Sequence, residues 1–289
     1  MAVGIIGLGI MGSAYAKHLI AAGHRVLGTD PVREARDRLT GLGGEAFDNL
    51  AEWLNECEVV IFSLASPSIM IDIAGSIGGY LSRGSVVIDT GTFALADKHA
   101  GRAALHMSGI DMLDCTVSGT GAQAWVKDLV MMASGPADAM AKARPVMEAV
   151  TKKVIDAGDF GNGSKLKYVA NHTVAIHNVA AAEALNYAVA MGLDKDMVYD
   201  LLSTGAGQSK MLDLRMPLMI SGNYDPPTAS LKMFEKDLGI IGDDIEALDI
   251  PTPLFDVCVE RYERASSELP ETHDTAAVYE VYAKESHKK

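Results

Sequence analysis

Six residues near the amino terminus, Gly7-Leu8-Gly9-Ile10-Met11-Gly12, follow the apolar run Val3 to Ile6 and precede a helical pattern, Ser13 to Ala22. Glycines at this spacing suit phosphate chemistry. Gly7 permits a tight turn, Gly9 lets a pyrophosphate approach the backbone, Gly12 lets helix and strand pack closely, and the helix N-terminus faces the anion. If Ala is allowed at the last position, Gly41-x-Gly43-x-x-Ala46 and Gly119-x-Gly121-x-x-Ala124 match as well. Only the first match has a strand before it and a helix after it. The next strand, Arg25 to Thr29, ends in Asp30, 23 residues after Gly7. A carboxylate there accepts from both ribose hydroxyls of an adenosine and repels a 2′-phosphate, which favours NAD over NADP; Arg33 nearby leaves NADP open. Leu64 and Ala65, at the end of the run Glu58 to Leu64, complete this set of cofactor-binding candidates.

A second group lies on a long helical stretch, Ser164 to Met191, where Lys167, Asn171 and Asn178 fall within about 40° of one another on one face. An ammonium on an apolar helix either snorkels to water or lines a polar cleft. Hydride transfer to a carbonyl leaves an oxygen that needs a proton. A lysine desolvated beside a cationic nicotinamide has its pKa drawn toward working pH, so Lys167 is the candidate general acid/base. Asn171, one turn on, can hold the reacting oxygen. After Leu113-Asp114 comes a loop, Cys115-Thr116-Val117-Ser118-Gly119-Thr120-Gly121-Ala122-Gln123, with small residues and free amides at the carboxyl end of a predicted strand, where open α/β sheets hold anions such as a carboxylate. As structure alone, it is a turn in which Ser118 caps the backbone. The loop Asp89-Thr90-Gly91-Thr92 offers Thr92 to the nicotinamide end, or as a helix N-cap.

These residues need a scaffold, and the first half of the chain supplies one by alternating short β-rich runs with helical ones. Val3 to Ile6, Arg25 to Thr29, Glu58 to Leu64, Ser85 to Asp89, Asp111 to Asp114, Leu129 to Ala133 and Lys153 to Asp156 read as strands of a parallel, doubly wound sheet. Runs such as Val59-Val60-Ile61-Phe62 are apolar on both faces, as a sheet covered on both sides requires. Past Asp156 the strand signal stops. The turn-rich joint Gly158 to Gly163 separates a nucleotide domain, 1–160, from an all-α domain, 161–289, with helices near Lys195 to Leu202, Ser209 to Ile220, Thr228 to Leu248 and Pro253 to Ser266. The long helix is Ala-rich and apolar on nearly every side, which predicts burial, in part against another subunit. The tail Lys284 to Lys289 is expected to fray.

The 289 residues are 48% hydrophobic and 22% charged, with a net charge of −13. That charge disfavours nucleic acid and anionic membrane surfaces as partners. Cys57, Cys115 and Cys258 lack zinc or disulfide spacing, and His18, His24, His99, His106, His172, His177, His273 and His287 show no ligand pattern, so no metal is expected. With no basic-plus-apolar leader and no run of 18 apolar residues, the expectation is a soluble, unprocessed cytoplasmic protein.

Taken in order, Gly7 to Gly12, Asp89 to Thr92, Asp114 to Gly119, Gly161-x-Gly163-x-x-x-Lys167-x-x-x-Asn171 and Lys236-Asp237 resemble the β-hydroxyacid dehydrogenase family. That group includes 3-hydroxyisobutyrate dehydrogenase, tartronate semialdehyde reductase and the glyoxylate/succinic semialdehyde reductases, with 6-phosphogluconate dehydrogenase as a larger relative. The resemblance runs from Val3 to about Arg264. It implies an α/β N-terminal Rossmann domain, a long interdomain helix, an all-α C-terminal domain and a homodimer or homotetramer. By the same resemblance Lys167 matches the catalytic lysine and Asn171 the substrate-holding asparagine. Ser118 and Gly119, with Thr120 beside them, match the substrate loop, Thr92 a threonine near the nicotinamide, and Lys236 a cofactor-proximal lysine, with Asp237 in support. Thr116, Thr120, Gln123, Ala170 and Ala229 depart from the family pattern, so the chemistry is better defined than the substrate. The implied activity is hydride exchange between NAD(P) and a small carboxylate-bearing 3-hydroxy acid or its semialdehyde. Alternatives are an NADPH-dependent aldehyde or imine reductase, or a non-catalytic dinucleotide-binding module.

Overall fold

A computed structural model describes residues 1–286, and within it the chain divides into two compact units, Met1–Lys167 and Tyr168–Lys289. The first unit runs β1 (Ala2–Ile6), α1 (Ile10–Ala21), β2 (Arg25–Thr29), α2 (Arg33–Gly41), β3 (Glu45–Ala46), β4 (Val59–Phe62), α3 (Pro67–Ile77), β5 (Val86–Asp89), α4 (Leu95–His106), β6 (Asp111–Ser118), α5 (Gly121–Trp125), β7 (Val130–Ser134), α6 (Ala137–Val150) and β8 (Lys153–Asp156). The sheet order is β3-β2-β1-β4-β5-β6-β7-β8. The chain winds outward from β1 in one direction, then returns to start again at β4, so the order reverses between β1 and β4. Ligands of open α/β sheets bind beyond the strand ends at such a switch point.

Alternation in the strands builds a core on each face of the sheet. Val3, Ile5, Val59, Ile61, Val86 and Ile88 pack with α1 and α6 residues such as Leu19 and Met147. Ile6, Val60, Phe62 and Val87 pack on the other face with Trp53, Met70 and Leu105. The doubly covered sheet expected from the apolar runs is therefore present.

One expectation needs correction, because the sheet is not wholly parallel. β6 pairs antiparallel with β7, and β8 then runs parallel to β7. The cause is the connection. Between Ser118 and Val130 the chain has only the five-residue α5, whereas a parallel return needs a crossover of about a dozen residues or more, usually through a helix that packs on the sheet. β6 also extends four residues past its expected end at Asp114, carrying Cys115 to Ser118 into the ladder.

α7 (Asn162–Ala190) leads into the second unit, followed by α8 (Lys195–Thr204), α9 (Lys210–Ser221), α10 (Leu231–Leu248), α11 (Pro253–Glu268) and α12 (Val278–Ser286). Serine and aspartate side chains start three of them: Asp194, Ser209 and Ser230 each accept from a backbone N–H of the first turn, satisfying a donor the helix itself cannot. Buried Asp274 fastens the unit by accepting from Arg215 and from the backbone N–H and hydroxyl of Thr228. Within the single chain α7 is covered on one side only. Ala175, Ala181, Ala182 and Leu185 are buried, but Val169 and Tyr187 are each 66% exposed. Alanine is too short to extend the covered side around the helix, so the single chain leaves an apolar stripe in water. The tail differs from expectation: Lys284 to Ser286 belong to α12, and Lys284 pairs with Glu268 at 3.4 Å. Residues 287–289, including His287, lie outside the described residues. Among those described, no helix is long and apolar enough to cross a membrane.

Candidate active site

Two glycines of the first motif, Gly7 and Gly12, are packed as the spacing implies. Gly7 has φ +93°, and a Cβ there would lie 2.2 Å from the Ser63 carbonyl oxygen. A Cβ on Gly12 would lie 1.9 Å from the Gly7 carbonyl oxygen, which ties the first turn of α1 against the end of β1. At Gly9 nothing comes within 4 Å. Gly9 is also the N-cap of α1 and provides no side-chain cap to the helix amides. An open space before uncapped amides, between two glycines packed tight for other reasons, fits a dinucleotide pyrophosphate. Leu8 is buried and Ile10 is 68% exposed. Leu64 borders the Gly7 turn and Ala65 is exposed beside it.

Asp30 stands at the end of β2 as expected. Its Oδ2 accepts from the Leu8 N–H at 2.7 Å and its Oδ1 from the Val32 N–H at 2.8 Å. Each carboxylate oxygen accepts more than one bond, so Asp30 is oriented by the glycine turn while retaining capacity for ribose hydroxyls. Arg33 is exposed and reaches Asp37 at 3.8 Å, whereas Arg36 is held by the Asp30 carbonyl oxygen and by Asp48.

At the end of β5, Thr90 donates to the Phe62 carbonyl at 2.8 Å. Thr92 is half-buried and precedes Ala94, the N-cap of α4. The loop after β6 lies directly on the dinucleotide turn, since a Cβ on Gly121 would come within 2.6 Å of Ile10. Lys17 and His18 of α1 bond the carbonyls of Trp125 and Ala124 at 2.9 and 2.8 Å. Ser118 and Gly119 are exposed, Gly119 with φ +134°. The capping function falls to Thr120, which N-caps α5 in a reciprocal pair with Gln123.

Lys167 sits on the second turn of α7 and is half-buried. Asn171 follows one turn on; in the second unit its Nδ2 donates to Asp237 Oδ2 at 2.8 Å, and Lys236 lies 3.0 Å from Asp237 Oδ1. Asp237 accepts one amide N–H, leaving Asn171 a second N–H and its Oδ1. Asn178, on the same face, is committed to the Tyr262 hydroxyl at 3.0 Å, and His172 stacks on Phe255.

Sequence reasoning did not single out a buried polar cluster beneath these loops: Asp89, Lys98, Asp114 and Ser164, all at or near zero exposure. Separated charges give no local signal, though strands ending in Asp89 and Asp114 point to it once their register is known. Among the described residues no group of His, Cys, Asp or Glu is placed to hold a metal.

Residues 2–158 match the family model of the NAD binding domain of 6-phosphogluconate dehydrogenase, and residues 161–282 match that of the NAD-binding region of NADP-dependent 3-hydroxyisobutyrate dehydrogenase. The chain is 32% identical to the L-threonate dehydrogenase of Cupriavidus necator, over 97% of this chain and 95% of that protein. The crystal structure of a 3-hydroxyisobutyrate dehydrogenase from Salmonella typhimurium superposes with TM-score 0.88 at 30% identity, covering 97% of this chain and 99% of the other. The 3-hydroxyisobutyrate dehydrogenase of Mycobacterium tuberculosis, solved with L-serine, gives 0.89 at 26%, covering 97% and 98%.

Proposed function

The chain belongs to the β-hydroxyacid dehydrogenase family, and from that premise we propose that Lys167 is the general acid/base of an NAD(P)-dependent oxidoreductase acting on a small 3-hydroxy acid or its semialdehyde. The bound nicotinamide supplies or takes up the hydride. Lys167 takes the hydroxyl proton in oxidation and returns a proton to the oxygen in reduction. Asn171, its amide steadied by Asp237, orients that oxygen through its remaining N–H. Ser118 and Gly119, with Thr120, hold the substrate carboxylate. Gly7 to Gly12, Leu64, Ala65, Thr92 and Lys236 hold the cofactor, with 1–160 as the nucleotide domain and 161–289 as the substrate and oligomerisation domain.

One observation carries the reading: the Ser118-to-Gln123 loop packs on the dinucleotide turn through Gly121 and Ile10, while Asp114, on the same strand as that loop, binds the first turn of the helix that bears Lys167. Asp30, oriented by two backbone amides, favours NAD. The exposed Val169 and Tyr187 of α7 support a homodimer or homotetramer that covers them. Three buried free cysteines suit the reducing cytoplasm. Titration with NADH and NADPH, followed by a panel of semialdehydes and hydroxy acids, tests the assignment. NADH-preferring turnover supports it, and binding without turnover across the panel refutes it.

A further inference from the structure

The parallel register of β5 and β6 sets Asp89 beside Asp114. Neighbouring strands lie about 4.8 Å apart, so two carboxylates with no exposure share one space. Like charges cannot both persist there without a cation. Lys98, one turn into α4 and itself fully buried, supplies it, donating to Asp89 Oδ2 and lying 3.0 Å from Asp114 Oδ1. Burial pulls the Lys98 pKa down, but the two carboxylates outweigh burial and hold it above the ordinary lysine value. Burial pushes Asp89 up and Lys98 draws it back. Asp89 Oδ1 is left buried without a hydrogen bond.

Stability alone does not call for such a cluster, because well-packed apolar residues often serve a core as well as a buried ion network does. Its other connections lead to α7. Asp114 Oδ2 accepts from the Ser164 N–H at 2.7 Å, and Oδ1 from the Ser164 hydroxyl at 2.9 Å. The Ser134 hydroxyl donates to the Asp114 carbonyl at 3.2 Å and accepts from the Gly163 N–H at 2.9 Å. Thr116 donates to the Gly163 carbonyl at 2.7 Å. A Cβ on Gly163 would lie 2.5 Å from the Asp114 carbonyl oxygen. A carboxylate at this end of a helix also meets the positive end of its dipole. The first turn of α7 is thus bolted to β6 one turn before Lys167.

We propose that Lys98 and Ser164 are positioning residues: Lys98 fixes the Asp114 carboxylate, Asp114 fixes Ser164, and Ser164 sets where the Lys167 amine stands. This inference rests on Lys167 being the acid/base. Ser164→Ala removes one bond to Asp114 and keeps the backbone N–H, so the fold is retained. A misplacement of about 1 Å costs up to about 100-fold in rate, and a partial loosening is expected to lower kcat about tenfold. NADH affinity and substrate KM should hold, and hydrogen exchange should quicken at 163–167 alone. Lys98→Met leaves two uncompensated carboxylates, so it is paired with Lys98→Met/Asp89→Asn, which is expected to fold and to show the same kcat loss. In a Lys167→Ala background, Ser164→Ala should cause no further loss. Wild-type kcat in Ser164→Ala, or an equal additional loss in the Lys167→Ala background, overturns the positioning role. Wild-type turnover in Lys167→Ala overturns instead the acid/base reading on which it stands.

Discussion

Two alanine substitutions three residues apart should separate folding from cofactor binding: Gly12→Ala and Gly9→Ala. On Gly12 the new Cβ would sit 1.9 Å from the Gly7 carbonyl oxygen, against an ordinary contact of 3.4 Å or more, so roughly 1.5 Å of relief is needed. Both partners are backbone and cannot rotate away. Overpacking of this kind costs about 2 kcal/mol, which lowers Tm by about 3 °C in a chain of this size. On Gly9 the Cβ meets nothing within 4 Å and φ is already −64°. The cost to the free protein is under about 1 kcal/mol, the scale of an N-cap change. The open space is where the pyrophosphate lies on this account, so the same methyl should weaken NADH binding at least about tenfold, or about 1.4 kcal/mol. Differential scanning fluorimetry and NADH fluorescence titration read the two effects. Gly9→Ala with wild-type NADH affinity would refute the placement of the pyrophosphate. Gly12→Ala with wild-type Tm would refute the packing argument.

Asp30→Asn keeps an acceptor for the Leu8 or Val32 amide but removes the charge, so kcat/KM for NADPH relative to NADH should rise about tenfold or more; an unchanged ratio in steady-state assays would remove Asp30 as selector. Stability should fall steeply above pH about 10. Burial holds Tyr15, Tyr224, Tyr262 and Tyr282 above the ordinary phenol range, Tyr282 at about 12, and Lys98 is held up by Asp89 and Asp114 against its burial. The folded chain binds these protons more tightly than the unfolded one. Their stabilisation is therefore full below the unfolded values near 10 and is lost as pH rises through the raised folded values. A Tm that stays flat from pH 8 to about 11 would contradict this sign.

Where a strand is an apolar run closed by polar residues, the sequence located it closely: Arg25–Thr29 and Lys153–Asp156 match to the residue. β6 was legible only to Asp114 because Cys115-Thr116-Val117-Ser118 reads as loop chemistry, yet it pairs with β7. Strand direction is not written in side-chain alternation, and the antiparallel β7 followed from the short connection through α5. The turn at Gly7, the close packing at Gly12 and the place of Asp30 at the end of β2 were legible because they depend on backbone conformation and spacing. The Asp89–Lys98–Asp114 cluster was not, since each residue is an ordinary charge until the register places the two aspartates side by side and α4 carries Lys98 over them. Which side of α7 the chain itself covers was not legible either, because alanine marks both a buried helix and one covered on a single side.

The most direct test of the central claim follows the absorbance of reduced nicotinamide while wild type and Lys167→Ala act on the best small 3-hydroxy acid or semialdehyde, with NADH affinity measured on both. The account predicts that kcat falls by about 10² to 10⁴ while NADH affinity is unchanged. Turnover retained in Lys167→Ala, or cofactor affinity lost in step with it, would contradict the account.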